Sequence, residues 1–311
     1  MTAVIFDCDP GQDDAAALLL ALASPELQVL GICTVGGNVP LALTSMNALK
    51  VVELAGRLDI PVFAGCQHPL MRPLVTAEYV MGNDGLAGAD LPVPSRSVDR
   101  RHAVDFIVET LGGAGDPVAV ATLGPLTNLA LALVKAPWIR ERIGQLVIMG
   151  GSMHRGNIVP QAEYNFYVDP HAAQIVLNAG LRPVIIGLDV THQVLNTVAR
   201  IERIGAVGTR SAQAVAKMFM PHAVVQQTLA PDSKPRGLMH DPCVTAYLVA
   251  PHLFSGREVH VEVETRSEVT MGQSVVDWWN VTRKPPNATV LDRIDVEGFF
   301  DLVTERLARL P

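Results

Sequence analysis

The sequence predicts a single α/β domain built on an open, mainly parallel, Rossmann-like sheet with helices on both faces. Short apolar runs alternate with stretches of helical periodicity along most of the chain, which is the pattern of repeated strand–helix–strand units. Several runs are continuously apolar, as is typical of strands that are buried on both faces. With 311 residues, 49% of them hydrophobic, and no linker composition, the chain is expected to form one domain over residues 1–311.

The first hundred residues begin this alternation. Each apolar run is followed by a turn and then by a segment in which apolar residues recur at helical spacing, so the runs predict strands and the segments predict helices. Residues 65–94 are rich in Gly and Pro, and an irregular loop of this length in a compact domain is usually a lid or a binding loop. The predicted elements are strands at 2–6, 27–35 and 60–63 and helices at 13–23 and 41–58.

The rest of the chain continues the pattern with one interruption. Residues 201–228 have a mostly helical pattern without a strand, and we expect this insertion to pack at the mouth of the site. Residues 231–237 contain prolines and predict a loop. The other predicted elements are strands at 118–122, 145–149, 183–188, 259–264, 272–279 and 288–294, helices at 100–112, 169–178, 242–249 and 296–310, and a helix that the segment 123–128 opens.

Four carboxylates lie close together at the turn between the first strand and the first helix: Asp7, Asp9, Asp13 and Asp14. Asp13 and Asp14 open the helix, where free N–H groups and the positive end of the dipole favour negative charge, so capping is one explanation for them. Capping does not explain Asp7 and Asp9, because like charges crowded beside apolar segments repel one another unless a cation neutralises some of them. Hard carboxylate oxygens without a Cys/His cluster indicate calcium or magnesium.

Composition argues against several classes of partner. A net charge of −7 without clusters of Lys and Arg argues against nucleic acid. No apolar run reaches the length of a membrane span and the amino terminus lacks the pattern of a signal peptide, so we expect no membrane partner and a cytoplasmic protein. The four cysteines are far apart in the sequence and predict free, mostly buried thiols.

Other candidate site residues, most of them polar, lie where further predicted strands end. In a doubly wound sheet, ligands bind beyond the carboxyl ends of the strands, so we expect these residues to share one site with Asp9. His240-Asp241-Pro242 has a similar form, an acidic residue at a loop-to-helix junction, for which a helix cap is the alternative explanation. The residues at the strand ends and in the polar segment after the strand at 145–149 are Asn38, Leu123, Met149, Asn157, Glu163 and Asn165.

Several motifs occur here in one order: D-x-D-P-G-x-D-D near the amino terminus, Asn38 after the second strand, G-P-L-T-N, M-G-G followed by G-N and E-x-N, and H-D-P near the end. In this combination the chain resembles the inosine–uridine-preferring nucleoside hydrolase family over nearly its whole length. The resemblance implies an N-glycosidase that hydrolyses free ribonucleosides to ribose and nucleobase. It also implies a homodimer or a homotetramer.

The resemblance further implies one calcium ion per subunit, which holds the 2′ and 3′ hydroxyls of the ribose and activates a water molecule. Carried over position by position, the ligands are Asp9, Asp14, the main-chain carbonyl of Leu123 and Asp241. Asp9 is also the implied general base. The residues that the resemblance assigns to the sugar are Asp13, Asn38, Met149, Asn157, Glu163 and Asn165.

The residues that would assist departure of the base and recognise it lie at positions where this chain partly differs from the family. His240 occupies the family position of the acid that assists the leaving base, although a histidine beside a metal carboxylate can equally support that carboxylate. The lid-loop position that is a histidine in several relatives, and the late helical positions that are tyrosines in others, carry different residues here, so the choice between purine and pyrimidine stays open. The remaining histidines, including His192, are expected at the surface or in the core. The candidate base contacts are Met81, His222, Gln226 and Gln227.

Two alternative functions remain open. Asp7-Cys8-Asp9 after an apolar strand is also similar to the D-x-D of haloacid-dehalogenase-type phosphatases, in which an aspartate is the nucleophile and magnesium assists. The residues that follow, Pro10-Gly11 and Asp13-Asp14, differ from those of that class. A non-catalytic nucleoside-binding protein is the second alternative, and the presence of Asp9 instead of a neutral residue argues against it.

Overall fold

The computed structural model describes residues 1–229, 233, 235 and 237–311. Most of the loop predicted at 231–237 therefore lies outside the described residues. The strands are β1 (Thr2–Cys8), β2 (Leu27–Thr34), β3 (Val62–Ala64), β4 (Val118–Thr122), β5 (Ile143–Met149), β6 (Val184–Ile186), β7 (Phe254–Val263), β8 (Ser274–Asp277) and β9 (Ala288–Ile294).

Within the described part of the chain these strands form one nine-stranded sheet in the order β3-β2-β1-β4-β5-β6-β9-β7-β8. The strands from β3 to β9 in this order run parallel to their neighbours. β7 pairs antiparallel with both β9 and β8. The predicted open, mainly parallel sheet is therefore confirmed, and its antiparallel part is confined to one edge.

The helices are α1 (Gln12–Leu22), α2 (Leu41–Leu54), α3 (Glu78–Met81), α4 (Ala103–Gly113), α5 (Thr127–Lys135), α6 (Tyr164–Val168), α7 (Pro170–Leu177), α8 (Leu188–Thr191), α9 (Val198–Gly205), α10 (Arg210–Thr228), α11 (Pro242–Val249) and α12 (Val296–Leu307). α1, α2 and α9 to α12 pack on one face of the sheet, and α4, α5 and α7 on the other. Along β1, Val4 and Phe6 contact the first group while Ile5 contacts the second. The continuous apolar runs are thus strands buried on both faces, as predicted.

The carboxyl end of β1 lies where the strand order reverses. The chain proceeds from β1 outward through β2 to β3 and then returns to β4 on the other side of β1. In open α/β sheets the crevice at such a point is where ligands bind. Since β1, β2, β4 and β5 are parallel, the segments that follow them all begin at this same edge of the sheet.

Some boundaries differ from the sequence prediction for local reasons. α2 ends at Leu54, four residues early, and Gly56 then takes a φ of +66°, a conformation in which glycine commonly ends helices. β7 begins at Phe254 instead of 259, and its first half is largely exposed, so no apolar run marks it. The short helices α3, α6 and α8 have five residues or fewer, which is too few to show a period. None of the described helices combines the length and apolar composition that crossing a bilayer requires.

Candidate active site

The turn between β1 and α1 is fixed by the carboxylate of Asp14. Its Oδ1 accepts a hydrogen bond from the main-chain N–H of Asp9 at 3.1 Å, and its Oδ2 accepts one from that of Gly11 at 3.0 Å. Asp14 therefore caps α1, which is one of the two roles that the sequence allows. A carboxylate has lone pairs for further partners, so this capping role is compatible with cation binding.

The carboxylate of Asp9 is fully buried between two glycines. A Cβ on Gly37 would lie 2.6 Å from Asp9 Cγ, and one on Gly124 would lie 2.8 Å from it, both well inside van der Waals contact. Asp9 Oδ2 accepts a hydrogen bond from the main-chain N–H of Asn38 at 2.7 Å. Asp9 Oδ1 is buried, and no described residue forms a hydrogen bond with it. Asp9 is thus held rigidly by the backbone and keeps one oxygen available.

Asp241 reaches the same place from far along the chain because α11 packs against α1. One carboxylate oxygen from each of Asp13, Asp14 and Asp241 lies within 4.8 Å of the other two, and all three residues are buried. Asp241 is the N-cap of α11, but its side chain makes no capping hydrogen bond. The alternative that Asp241 serves as a helix cap is therefore not supported, and its carboxylate belongs to the cluster.

The electrostatics of this cluster are unfavourable without a counter-charge. Burial raises the pKa of Asp9 and of the three clustered carboxylates above the ordinary value of an aspartate. The charge of neighbouring carboxylates raises the pKa of Asp9, Asp13 and Asp241 further, and that of Asp13 reaches about 7. Among the described residues, no Lys or Arg forms an ion pair with any of them. A cation would relieve this repulsion.

The residues present fit a hard divalent cation. Besides Asp9 Oδ1, the Oδ1 atom of Asp13 is buried without a hydrogen-bond partner. Carboxylates together with the Leu123 carbonyl are the oxygen donors that calcium prefers. Of the predicted ligands, Asp14 and Asp241 come together with Asp13 in the tightest group, and Asp9 lies outside that group. The assignment of Asp9 as a ligand and of Asp13 to the sugar stays a prediction.

Asn128, the last residue of the G-P-L-T-N motif, supports the turn from behind. Its Nδ2 donates to Asp7 Oδ1 at 2.8 Å and to the carbonyl of Thr34 at 3.0 Å, and its Oδ1 accepts from the N–H of Cys66 at 2.8 Å. Asp7 is buried, and burial raises its pKa to about 7. This amide therefore links the ends of β1 and β2 and fixes the side chain of Asp7 beneath the turn.

Glu163 and Asn165 form another wall of the site. Asn165 Nδ2 donates to the carbonyl of Leu123 at 2.6 Å and to that of Met149 at 3.1 Å, so it links the ends of β4 and β5. The Glu163 carboxylate accepts hydrogen bonds from the N–H groups of Gly151 and of two residues in α6, and it caps that helix. Burial raises the pKa of Glu163 to about 7. Hydrogen bonds to the backbone therefore fix both side chains at the carboxyl ends of β4 and β5.

A cavity of about 1100 Å³, counting its open mouth, lies against these residues. Asp9 and Asp14 do not line the cavity themselves, but Asn38, which does, donates hydrogen bonds to both carboxylates. Its main-chain N–H donates to Asp9, and its side-chain amide donates to Asp14. The predicted site residues that line the cavity are Asp13, Asn38, Met81, Leu123, Met149, Asn157, Glu163, Asn165, His222, His240 and Asp241.

The helical insertion packs at the mouth of the cavity, as predicted. Phe219 and His222 of α10 line the cavity. Gln226 and Gln227 lie further along the same helix and are not among the lining residues. Of the four candidate base contacts, Met81 and His222 therefore have a position from which to touch a ligand.

Several cavity residues are missing from the sequence prediction. His192 lines the cavity, contrary to the expectation of a surface or core residue, and its ring centroid is 6.1 Å from that of His240. It follows β6, so the strand-end argument that selected Asn38 could have found it. Tyr79 and Tyr164 also line the cavity but lie in irregular or very short elements, where the sequence carries no positional signal.

The chain is similar to known proteins over its whole length. The family described as inosine-uridine preferring nucleoside hydrolase matches residues 4–301. An uncharacterized protein of Schizosaccharomyces pombe is 48% identical, with 99% of each chain covered. The pyrimidine-specific ribonucleoside hydrolase RihA of Salmonella typhimurium is 44% identical, over 98% of this chain and 97% of its own. The solved structure of a purine-preferring ribonucleoside hydrolase from Gardnerella vaginalis is 30% identical, with a TM-score of 0.90 over 99% of this chain and 98% of its own.

Proposed function

We propose, because this chain belongs to the inosine-uridine preferring nucleoside hydrolase family, that its cavity cleaves free ribonucleosides with the help of one calcium ion and with Asp9 as general base. The protein is a hydrolase acting on ribonucleosides, like its relatives. Family membership favours this function over the phosphatase alternative and over a non-catalytic binder. The finer points of the proposal are the metal, the base and the roles of individual residues.

The observation that carries the proposal is the convergence of buried carboxylates under the cavity without a neutralising cation among the described side chains. Asp14, Asp241 and the Leu123 carbonyl, with Asp9, would hold the calcium ion. When bound, calcium would supply a Lewis acid that lowers the pKa of water and binds a vicinal diol. The unpartnered Oδ1 of Asp13 supports its assignment to a sugar hydroxyl.

The side chains of the site would accept the proton of the attacking water, orient the ribose and assist departure of the base. Asp9 Oδ1, buried and without a hydrogen-bond partner, is suited to accept a proton from the attacking water. Glu163 and Asn165 are fixed by hydrogen bonds to backbone groups, so they can orient the ribose hydroxyls with little loss of entropy. The carboxylate-rich wall favours the positive charge that develops on the ribose as its bond to the base breaks. His240 lines the cavity and would assist departure of the base.

The test is a panel of nucleosides assayed for free ribose, with added calcium and after thorough chelation. We expect uridine and cytidine to be cleaved faster than inosine and adenosine, since RihA, described as pyrimidine-specific, is 44% identical and the purine-preferring structure is 30% identical. 2′-Deoxyuridine should be slower by about 10⁴-fold because the lost hydroxyl leaves site groups unpaired.

Chelation should abolish activity and calcium should restore it. Asp9→Ala should also abolish hydrolysis while leaving the circular dichroism spectrum unchanged. Full activity after chelation would contradict the metal, and comparable rates for uridine and 2′-deoxyuridine would contradict the role of the diol. Phosphate release from nucleotides without any base release from nucleosides would support the phosphatase alternative instead.

We also propose that the protein acts in the cytoplasm as a homodimer or homotetramer. Its four cysteines are free in the structure and three of them are buried, which suits a reducing compartment. Cell fractionation and light scattering of the purified protein test these two points.

A further inference from the structure

We infer that Thr191 is a positioning residue for the cleavage step: its hydroxyl fixes His240 as a neutral imidazole that carries its proton on Nε2 and donates a hydrogen bond to the leaving base. The inference deepens the proposed function and depends on it, because it concerns how the base departs from the same cavity. Thr191 belongs to none of the motifs on which the resemblance depends.

The contact is short, and its threonine side is buried. Thr191 is the last residue of α8, directly after β6, and its side chain is fully buried. Its Oγ1 lies 2.7 Å from His240 Nδ1. His240 in turn lines the cavity and precedes Asp241 of the carboxylate cluster. A buried hydroxyl thus lies within hydrogen-bond distance of one ring nitrogen of a histidine that lines the cavity.

The direction of this hydrogen bond follows from what else the hydroxyl can reach. His240 Nδ1 is the one hydrogen-bond partner that Thr191 Oγ1 has among the described residues. If Nδ1 carried the proton and donated to Oγ1, the hydroxyl hydrogen of Thr191 would be buried without an acceptor, which costs about 1–3 kcal/mol. The favoured arrangement therefore has Thr191 O–H donating to an unprotonated Nδ1, and in a neutral imidazole the proton is then on Nε2.

This arrangement determines what His240 can do for the leaving base. With Nδ1 occupied by Thr191, any hydrogen bond from His240 to a base has to come from Nε2. During cleavage the oxygen of water forms its bond to C1′ and gives a proton to Asp9, while the electron pair of the C1′–N bond stays on the base nitrogen. The base leaves as an anion that the Nε2–H group stabilises by a hydrogen bond, and solvent protonates it after release.

The tautomer is measured directly by ¹⁵N NMR of the calcium-loaded protein with labelled histidine, at about pH 8, where an ordinary imidazole is neutral. His240→Gln identifies the His240 signals among those of the nine histidines. We expect a protonated Nε2 and an unprotonated Nδ1. A protonated Nδ1, alone or together with a protonated Nε2, would overturn the inference.

The kinetic test uses a threonine without its hydroxyl. Thr191→Val keeps the shape, and we expect kcat/KM for uridine to fall by about tenfold, the order of one lost hydrogen bond. For p-nitrophenyl riboside the loss should be smaller, because p-nitrophenolate leaves readily without help. Thr191→Ser should restore the uridine rate. Equal losses with both substrates, or no rescue by serine, would contradict the positioning role.

Thr44→Val is the matched control. Thr44 is also fully buried, and its Oγ1 lies 3.0 Å from the carbonyl oxygens of Val35 and Leu41, but it does not line the cavity. We expect it to lower Tm without changing the ratio of the two substrates. The two proposals fail separately: a protein that cleaves uridine with Nδ1 protonated refutes the role of Thr191, whereas an inactive protein with Nε2 protonated refutes the proposed function.

Discussion

At the scale of single residues, the proposed chemistry depends on Asp9, and the place of Asp9 depends on neighbours that have no side chain. Gly37 and Gly124 come from the ends of different strands and approach the same carboxylate from two directions. Because interiors are close-packed, a methyl group at either position has to displace something. The displaced group would be the carboxylate itself.

Gly124→Ala should therefore disable the site while preserving the fold. The added Cβ would lie 2.8 Å from Asp9 Cγ and 3.0 Å from its main-chain nitrogen, so the carboxylate shifts. A displacement of about 1 Å commonly costs about 10²-fold in rate, and we expect kcat to fall by at least that amount. Steady-state kinetics with uridine provide the measurement.

Gly113→Ala is the control for this change. Gly113 ends α4, and a Cβ there meets nothing within 4 Å. We expect normal kinetics from it. Unchanged kcat in Gly124→Ala would show that the packing around Asp9 yields easily.

The sequence reveals the site residues that belong to dense local motifs and not those whose partners are distant. Asp9 and Asp14 could be predicted because they share one turn with a recognisable strand and helix. Thr191 could not, because its contact with His240 joins two segments that nothing in the sequence relates. Asp241 could be proposed only through the resemblance, since a helix cap explains it equally well until the packing of α1 against α11 is known.

At the scale of elements, the predicted lid at 65–94 is tied to the turn between β1 and α1 by a buried amide. Asn47 of α2 donates from Nδ2 to the carbonyl of Pro10 at 3.0 Å and to the carbonyl of Asp84 at 2.7 Å. The lid is also tied to the other side of the cavity, where Tyr164 Oη donates to the carbonyl of Val75 at 2.7 Å. Its position therefore depends on side chains outside it.

Asn47→Ala should loosen the lid and raise KM more than it lowers kcat. Both hydrogen bonds disappear, and each is worth about 0.5–1.5 kcal/mol, so an increase of about tenfold in KM for uridine is expected. Limited proteolysis should cleave residues 65–94 faster than in the unchanged protein. These two readouts together report on the lid and not only on global stability.

Asn287→Ala is the matched control because Asn287 also makes two amide–backbone hydrogen bonds, both to Val261 of β7. Asn287 does not line the cavity. We expect it to lower Tm and leave KM unchanged. If both variants raise KM alike, the link between Asn47 and the lid has no special role.

The bounds of an element could be predicted from the sequence where its burial leaves a recognisable pattern of apolar residues. β4 and β9 have the predicted bounds. Every residue of β4 is buried, as is typical of a strand that is covered on both faces. β9 is marked instead by the buried apolar residues of its first half, Ala288, Val290 and Leu291. The first half of β7 could not be predicted, since an exposed edge strand carries no such run. Short helices that form walls of the cavity, such as α6, are specified by capping and tertiary contacts instead of periodicity.

At the scale of the whole molecule, stability should depend on pH and calcium together. The carboxylates whose pKa burial raises bind protons in the folded, metal-free protein that the unfolded chain releases. The contribution of Asp13 to stability is therefore complete below the unfolded pKa of about 3.9 and is lost as the pH rises through about 7, its pKa in the folded protein. Burial raises the pKa of Asp9 and Asp241 in the same direction. The proposed calcium ion would bind the deprotonated carboxylates and should reverse this loss.

We expect calcium to raise Tm by several degrees at about pH 8 and by little at about pH 5. At a free calcium concentration about 100 times Kd the stabilisation is about 2.7 kcal/mol. Scanning calorimetry in the two buffers, with sodium chloride at matched ionic strength as the control, measures it. A rise in Tm that is equal at both pH values, or greater at the lower one, would contradict the linkage.

The cluster joins distant parts of the polypeptide, since Asp14 and Asp241 are more than two hundred residues apart. Closing a loop of that length delays contact between its ends, and synthesis delays it further because chains emerge from the ribosome at about 5–20 residues per second. Asp13 and Asp14 of a nascent chain are therefore synthesised many seconds before Asp241. Over that interval the chain has to remain soluble without the ion that we propose the complete cluster binds.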